Sequence, residues 1–144
     1  MAELRLERDY NIAADELFEM ISTQAGLLQW WGPETMTVPE HNLDFTREGP
    51  WFSVMVNPEG GRYKVSGQVT HVRAGNSVGF TWAWHDENDA RGEESHVTLK
   101  VEALNNAQSR LVLHHTDLPH QEAADNHNTG WSSSLNKLNA ALSA

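Results

Sequence analysis

Cysteine is absent from this chain of 144 residues, and its absence excludes several kinds of chemistry. Without a thiol there is no disulfide framework, no thiolate nucleophile and no cysteine-based zinc site. Long apolar runs are missing too, since no segment reaches the roughly 18 apolar residues that a membrane-spanning helix needs. The N-terminal residues lack the basic region and apolar stretch of a secretory signal. We therefore expect a cytoplasmic protein that does not insert into membranes.

Basic residues are scarce as well. The chain has 10 lysines and arginines against 20 aspartates and glutamates, which gives a formal net charge of −10. Nucleic acids and anionic lipid surfaces both need a basic footprint, so neither is an expected partner. The simplest consequence of the negative charge is solubility. The length and the hydrophobic fraction of 39% predict one domain, residues 1–144, around a single core.

A long helix over residues 118–142 organises the rest of the prediction. Its inward face repeats every three or four residues, at Ala124, His127, Trp131, Leu135, Leu138 and Leu142. Gly130 interrupts this pattern, although a glycine inside a helix costs roughly 1 kcal/mol relative to alanine. We therefore expect another backbone to approach closely at Gly130.

The remaining chain predicts strands. Alternation of apolar and polar residues indicates a first strand at residues 3–10, followed by a short helix that ends before Ser22 and a further helical turn at residues 27–31. The later strands are predicted at residues 36–38, 42–45, 51–56, 63–73, 77–85, 94–103 and 110–116. Consecutive hairpins favour an antiparallel sheet. The fold class is therefore α+β, with a curved sheet wrapped around the C-terminal helix.

Five stretches in order also carry a family resemblance. They are RDYNIAADELF (8–18), QWWGP (29–33), GQVTHVRAGNSVGFTW (67–82), LVLHHTDL (111–118) and GWSSSLNKL (130–138). Together they resemble the START-like, or SRPBCC, superfamily, and within it the branch named after the activator of heat-shock-protein-90 ATPase. Asp15 stands where that family usually has proline, which we expect to alter only a helix cap. The resemblance implies a helix-grip fold with an apolar cavity between the sheet and the long helix, where many members bind small hydrophobic ligands, lipids among them.

The aromatic residues are interpreted as the lining of that cavity. The chain has six tryptophans, and any one of them alone is more typical of an ordinary core. We predict the ligand-binding cavity at Trp31, Phe52, Met55, Trp82, Trp84, His115, His127 and Trp131, with Trp30 at the rim. His115 shares the inward face of its strand with Leu111 and Leu113, so we expect it to be the principal polar contact.

Motifs for metal binding and catalysis are missing from the sequence. The eight histidines form no HExxH motif, and His114 and His115 point to opposite faces of their strand. No serine lies in a Gly-x-Ser-x-Gly elbow, and no pair of carboxylates is spaced for acid–base chemistry. We therefore predict no metal, no cofactor and no catalytic residue.

The predicted function is non-catalytic binding of a small apolar or aromatic molecule. Three alternatives stay open. One is a chaperone co-factor acting in a stress response, with a chaperone as partner, as the family name suggests. Another is an enzyme that acts on a hydrophobic substrate with His115 as acid or base. The third is a structural module with a filled core. A monomer and a homodimer are both compatible with the sequence.

Overall fold

The computed structural model describes residues 2–143, so the predicted domain boundaries at residues 1 and 144 lie outside the described residues. The elements are β1 (Ala2–Tyr10), α1 (Ala14–Ser22), α2 (Gln24–Leu27), β2 (Thr37–His41), β3 (Gly49–Val56), β4 (Arg62–Arg73), β5 (Ser77–Trp84), β6 (Ser95–Asn105), β7 (Gln108–Leu118) and α3 (Gln121–Ser143). The predicted order of a strand, two short helices, a run of strands and a long helix is confirmed, with six strands in that run.

The seven strands form one antiparallel sheet in the order β1-β7-β6-β5-β4-β3-β2. The chain starts at one edge, crosses through α1 and α2 to β2 at the other edge, and returns by consecutive hairpins. The last strand then pairs with the first, with Leu6 opposite Leu113. This connectivity places β5 in the middle of the sheet. The fold is the predicted α+β helix-grip arrangement.

Alternation along the strands separates a buried face from an outer face. On β6, Val97, Leu99 and Val101 are buried, whereas Lys100 between them is exposed. Helix α3 packs against β1 and β7. Its buried apolar side chains are Ala124, Trp131, Leu135 and Leu138, as the helical spacing predicted. The core therefore lies between α3 and one face of the sheet.

The strand predicted at residues 42–45 is wrong. The structure has one strand, β2, which contains Pro39, and the segment after it is irregular. Its apolar residues Leu43 and Phe45 are fully buried, and the Phe45 amide donates to the Ser22 carbonyl at 2.8 Å. Asn42 still bonds β3, where its amide donates to the Phe52 carbonyl at 3.2 Å, but by Phe45 the segment is bonded to α1 instead. Pro39 is tolerated because β2 is an edge strand.

Two expectations about α3 also need correction. The helix begins at Gln121, because Leu118 still belongs to β7. A Cβ at Gly130 would meet no atom within 4 Å, so the close backbone approach expected there does not exist. Close backbone approaches lie instead at Gly26, beside α1, and at Gly67, where a Cβ would clash with the Thr81 carbonyl oxygen of the adjacent strand. Within residues 2–143, no helix is long and apolar enough to cross a bilayer.

Candidate functional site

Trp31 is the centre of an aromatic cluster between the sheet and α3. Its ring centroid lies 5.6–6.2 Å from those of six neighbours, Trp30, Phe45, Trp51, Phe80, Trp82 and Trp131. Its indole Nε1 donates to Ser53 Oγ at 2.9 Å. Four of these contacts are edge-to-face and two are tilted, and edge-to-face is a favourable geometry for aromatic pairs. Much of the tryptophan-rich interior is thus solid core.

A cavity of about 190 Å³ lies beside this cluster, and we call it the indole cavity. It is lined by Trp31, Gly32, Pro33, Met55, Trp82, Trp84, Asn126, His127, Gly130, Trp131 and Ser134. An engineered apolar cavity of about 150 Å³ is large enough to bind benzene. The indole cavity therefore has room for a molecule built on one aromatic ring.

A second, more polar cavity of about 470 Å³ adjoins the indole cavity. Both share the lining residues Trp82, Trp84, Asn126 and His127. The His127 ring is nearly parallel to the Trp84 ring, with centroids 6.0 Å apart, and meets Trp82 edge-on at 5.6 Å. His127 and Trp84 thus form a wall common to the two cavities.

His115 is fully buried and lines neither cavity. Trp131 Nε1 donates to its Nδ1 at 3.1 Å, and its Nε2 lies 2.7 Å from Ser95 Oγ. Because an indole nitrogen can only donate, Nδ1 must be the acceptor and Nε2 must carry the proton. Both ring nitrogens are therefore occupied by protein partners. The expectation that His115 is the principal polar contact of the cavity is wrong.

The two inward histidines are neutral at pH 7. Burial, followed by the proximity of His127, lowers the pKa of His115 to about 3. Burial alone lowers the pKa of His127 to about 4. Desolvation disfavours the charged imidazolium, which explains the direction of both shifts. A general base works best with a pKa near the operating pH, so neither ring is suited to that role.

Six of the eight predicted cavity residues do surround the indole cavity: Trp31, Met55, Trp82, Trp84, His127 and Trp131. Phe52 does not, and its predicted place is wrong. Neighbouring residues on a strand face opposite sides, so Phe52 cannot share the inner face with Trp51 and Met55. Its ring lies on the outer face, 5.7 Å from Lys64 Nζ. The odd spacing between positions 52 and 55 already contained this information.

The sequence prediction missed the contribution of α3 beyond its aromatic residues. Asn126, Gly130 and Ser134 all line the indole cavity. They recur every four residues, so they form one stripe along the helix. Gly130 has no side chain and that of Ser134 is small, so the two positions leave space that larger residues would fill. The sequence signal for this part of the cavity was the pair of small residues Gly130 and Ser134, four positions apart and next to the buried face that contains Trp131.

The segment 31–34 closes one side of the indole cavity and is bonded to α3. Lys137 Nζ donates to the Trp31 and Gly32 carbonyls at 3.0 and 3.2 Å. The Glu34 amide donates to Ser133 Oγ at 2.8 Å, and the same hydroxyl donates to Glu34 Oε1 at 3.1 Å. Gly32 has φ of +83°, which favours glycine at this turn.

Metal ligands do not converge in the part of the chain that the structure describes. Residues 2–143 contain no group of three or more histidine, aspartate or glutamate side chains that could hold a metal ion. His115 and His127 are close, with ring centroids 4.4 Å apart, but no carboxylate completes a third position. Three protein ligands are the usual minimum for a catalytic zinc site.

Comparison with known proteins identifies relatives over nearly the whole chain. The family model described as "Activator of Hsp90 ATPase homolog 1-like protein" matches residues 11–143. The AHSA1 protein of Silicibacter pomeroyi is 58% identical, with a TM-score of 0.95 and coverage of 99% of this chain and 98% of that one. A comparison with curated proteins gives no match.

More distant structures share the fold alone. Protein CV1439 of Chromobacterium violaceum is 17% identical, with a TM-score of 0.85 and coverage of 99% of this chain and 97% of that one. A protein of Arthrobacter aurescens is 20% identical, with a TM-score of 0.81 and coverage of 98% and 86%. The helix-grip arrangement therefore persists where most residues differ.

Proposed function

Because the chain belongs to the family of activator of Hsp90 ATPase homolog 1-like proteins, we propose that it binds a small, uncharged aromatic or apolar molecule in the indole cavity. The observation that carries the proposal is the cavity of about 190 Å³ lined by four tryptophans. Small-molecule sites are commonly concave, mostly apolar and aromatic.

The charge of the lining favours an uncharged ligand. No aspartate, glutamate, lysine or arginine is among the described residues that line the indole cavity, and His127 is neutral at pH 7. Transfer of an ion into such surroundings is costly unless a partner compensates it. A neutral ring system has no such desolvation cost, and burial of its apolar surface against Trp82 and Trp131 favours binding.

A buried hydrogen-bond donor without an acceptor further restricts the chemical class of the ligand. Among residues 2–143, Trp82 Nε1 is buried and has no hydrogen-bond partner, although Trp82 lines both cavities. Buried polar groups are paired in most proteins, so an unpaired one calls for an explanation. A ligand that carries a carbonyl or ether oxygen would accept this hydrogen bond. We therefore favour aromatic aldehydes, ketones and ethers over plain hydrocarbons.

Calorimetric titration with such compounds tests the proposal. We expect a neutral ligand such as acetophenone to bind with a Kd between about 1 mM and 1 μM, or roughly −4 to −8 kcal/mol. Gly130→Met places a side chain in the open space at Gly130 and should abolish binding. Thr129→Met is the matched control on the exposed face of the same helix and should leave binding unchanged.

Either of two results would contradict the proposal. One is equal binding by the wild type and Gly130→Met. The other is no binding of any compound in a panel of one-ring and two-ring molecules. In the second case the chaperone co-factor function, which the family name suggests, becomes the better hypothesis. The enzyme hypothesis with His115 as acid or base has little support, since that ring is buried and both its nitrogens are occupied.

A further inference from the structure

A serine, a histidine and an aspartate form a chain of hydrogen bonds on the outer face of the sheet, away from α3. Ser66 Oγ, on β4, lies 2.6 Å from Nε2 of His85, which follows β5. On the other side of the same ring, His85 Nδ1 lies 2.8 Å from Asp89 Oδ1. The order of atoms is that of a Ser-His-Asp triad, which is recognised by geometry and not by sequence position.

The protonation states follow from the partners. A carboxylate can only accept, so Nδ1 of His85 carries the proton and Nε2 accepts from the Ser66 hydroxyl. Hydrogen bonds from Lys64 and then from His85 lower the pKa of Asp89, so its carboxylate is ionised at neutral pH. This arrangement is the resting state of a serine nucleophile with its base and the group that orients the base.

The loop between β5 and β6 holds the histidine and the aspartate in place. Asp86 Oδ1 accepts from the Asn88 and Ala90 amides at 2.8 and 3.0 Å, which tightens the turn. Asp89 has φ of +63°, a left-handed conformation that costs energy for a residue other than glycine.

A cation lies directly at the nucleophile. Arg91 Nε donates to Ser66 Oγ at 3.0 Å, and Arg91 Nη2 donates to the Ser66 carbonyl at 3.0 Å. A fixed positive charge here favours the negative charge that develops when the hydroxyl attacks a carbonyl group. Arg91 Nη1 also pairs with Glu94 Oε2 at 3.2 Å, so the cation beside the nucleophile is held in place by a carboxylate.

An open groove of about 340 Å³ gives access to the serine. Ser66, His85 and Arg91 lie along it, together with the apolar side chains of Pro50 and Phe52. Phe52, which is misplaced for the indole cavity, is thus part of the wall of this groove. A volume of about 340 Å³ lies at the lower end of the range for small-molecule sites, so the groove suits a small ester.

We propose that Ser66, His85 and Asp89 are the nucleophile, the base and the positioning residue of an esterase site for small carboxylic esters. Ser66 Oγ attacks the ester carbon while His85 Nε2 takes the hydroxyl proton. The tetrahedral adduct collapses, the bond to the leaving oxygen breaks, and His85 returns the proton to the departing alcohol. Water then attacks the acyl-serine while His85 Nε2 takes its proton; the second adduct collapses, the bond from the acyl carbon to Ser66 Oγ breaks, and His85 returns the proton to Oγ. The products are one acid and one alcohol for each ester and water consumed.

The sequence contained no elbow motif for this site. Ser66 belongs to β4, whereas His85 and Asp89 belong to the loop after β5, so strand register and loop conformation together bring them into contact. Ser66 lies opposite Ala83 in that register, two residues from His85. The site is independent of the indole cavity, since it lies on the other face of the sheet.

Covalent labelling of the wild-type protein tests the nucleophile. We expect incubation with diisopropyl fluorophosphate to add one diisopropylphosphoryl group, located on Ser66 by peptide mass spectrometry. The adduct should be absent from Ser66→Ala. Ser77→Ala is the matched control, because Ser77 also contacts a histidine, His71, at 3.4 Å, and its labelling should equal that of the wild type. Circular dichroism checks that each variant is folded.

The rate of p-nitrophenyl acetate hydrolysis tests the roles of Ser66, His85 and Asp89. Ser66→Ala and His85→Gln should each reduce the rate by at least about 100-fold, within the range that a positioned base supplies. Asp89→Asn should lower kcat with little change in KM, since Asp89 acts through His85. A label on another residue, or an unchanged rate in folded Ser66→Ala, would overturn the proposal and leave the three residues as a bond between the loop and the sheet.

Discussion

Trp131 on α3 and His115 on β7 are joined by a hydrogen bond of 3.1 Å in the interior of the protein. The indole donates and the imidazole accepts, so the bond exists only while Nδ1 of His115 is unprotonated. The opposite nitrogen continues the link to Ser95 on β6. The protonation state of one buried ring therefore determines how well the helix is held on the sheet.

Acidification should destabilise the protein before its carboxylates titrate. His115 has a pKa of about 3 in the folded chain against an ordinary value of 6.5, so the unfolded chain takes up the proton first. Stability that is present above pH 6.5 is then lost as the pH falls toward 3. Between pH 7 and pH 5 we expect the free energy of unfolding to fall by about 2 kcal/mol from His115, measured by urea denaturation.

His127 contributes in the same direction, since its pKa is also lowered, to about 4. The control is His115→Gln, which cannot take up a proton at this position. Its stability should be less dependent on pH between 7 and 5 than that of the wild type. Identical slopes in the two proteins would show that His115 is not protonated selectively in the unfolded state.

Trp131→Phe should cost about 1–3 kcal/mol in the free energy of unfolding. The ring remains aromatic, but its donor is lost, and Nδ1 of His115 is left buried without a partner. Thermal denaturation measures the effect. Trp84→Phe is the comparison, because 39% of Trp84 is exposed and its replacement should cost less. Equal losses would mean that the hydrogen bond contributes nothing beyond ring volume.

Gly130→Ala should stabilise the protein by about 0.5–1 kcal/mol. The added methyl group meets no atom within 4 Å. Alanine also leaves the unfolded chain less backbone freedom than glycine does, so less conformational entropy is lost on folding. Gly67→Ala is the opposite case, since its methyl group would clash with the Thr81 carbonyl. Urea midpoints should move in opposite directions for the two variants. A destabilised Gly130→Ala would restore the close contact that the sequence first suggested.

Lys137→Met should cost about 2 kcal/mol, because the Trp31 and Gly32 carbonyls each lose a charged donor. Lys100→Met on the outer face of β6 is the control and should stay within about 0.5 kcal/mol of the wild type. Chemical denaturation of the two variants side by side gives the comparison. Equal free energies of unfolding in the two variants would mean that water bonds the two carbonyls as well as the ammonium group does.

The fold was predictable because its signals are local and periodic. Two-residue alternation in β4 to β7 and the three-to-four-residue repeat from Ala124 to Leu138 each specify a buried face. The segment 42–45 failed because a short apolar stretch can be buried without a strand partner. Here the Ser22 carbonyl satisfies the Phe45 amide that a neighbouring strand would otherwise bond.

The site was predictable only where one element determines which way a residue faces. Trp82 and Trp131 followed from strand and helix phase. The contacts of His115 could not be predicted in this way. They depend on the distance between α3 and the sheet, which determines which side chain lies within hydrogen-bond distance of Nδ1. The meeting of Ser66, His85 and Asp89 depends on strand register and on the conformation of one loop, and neither leaves a short motif in the sequence.

The central position of β5 has a consequence for aggregation. This strand, SVGFTWAW, carries no charge and is rich in β-branched and aromatic residues, the composition that favours amyloid-like stacking. Three strands cover it on each side, while the sheet margins carry Pro39 on β2 and the exposed charges Arg5 and Glu7 on β1. Strand pairing between the sheets of two molecules is thus disfavoured at both edges. Fibril formation would require the sheet to open from within, so it should follow global unfolding.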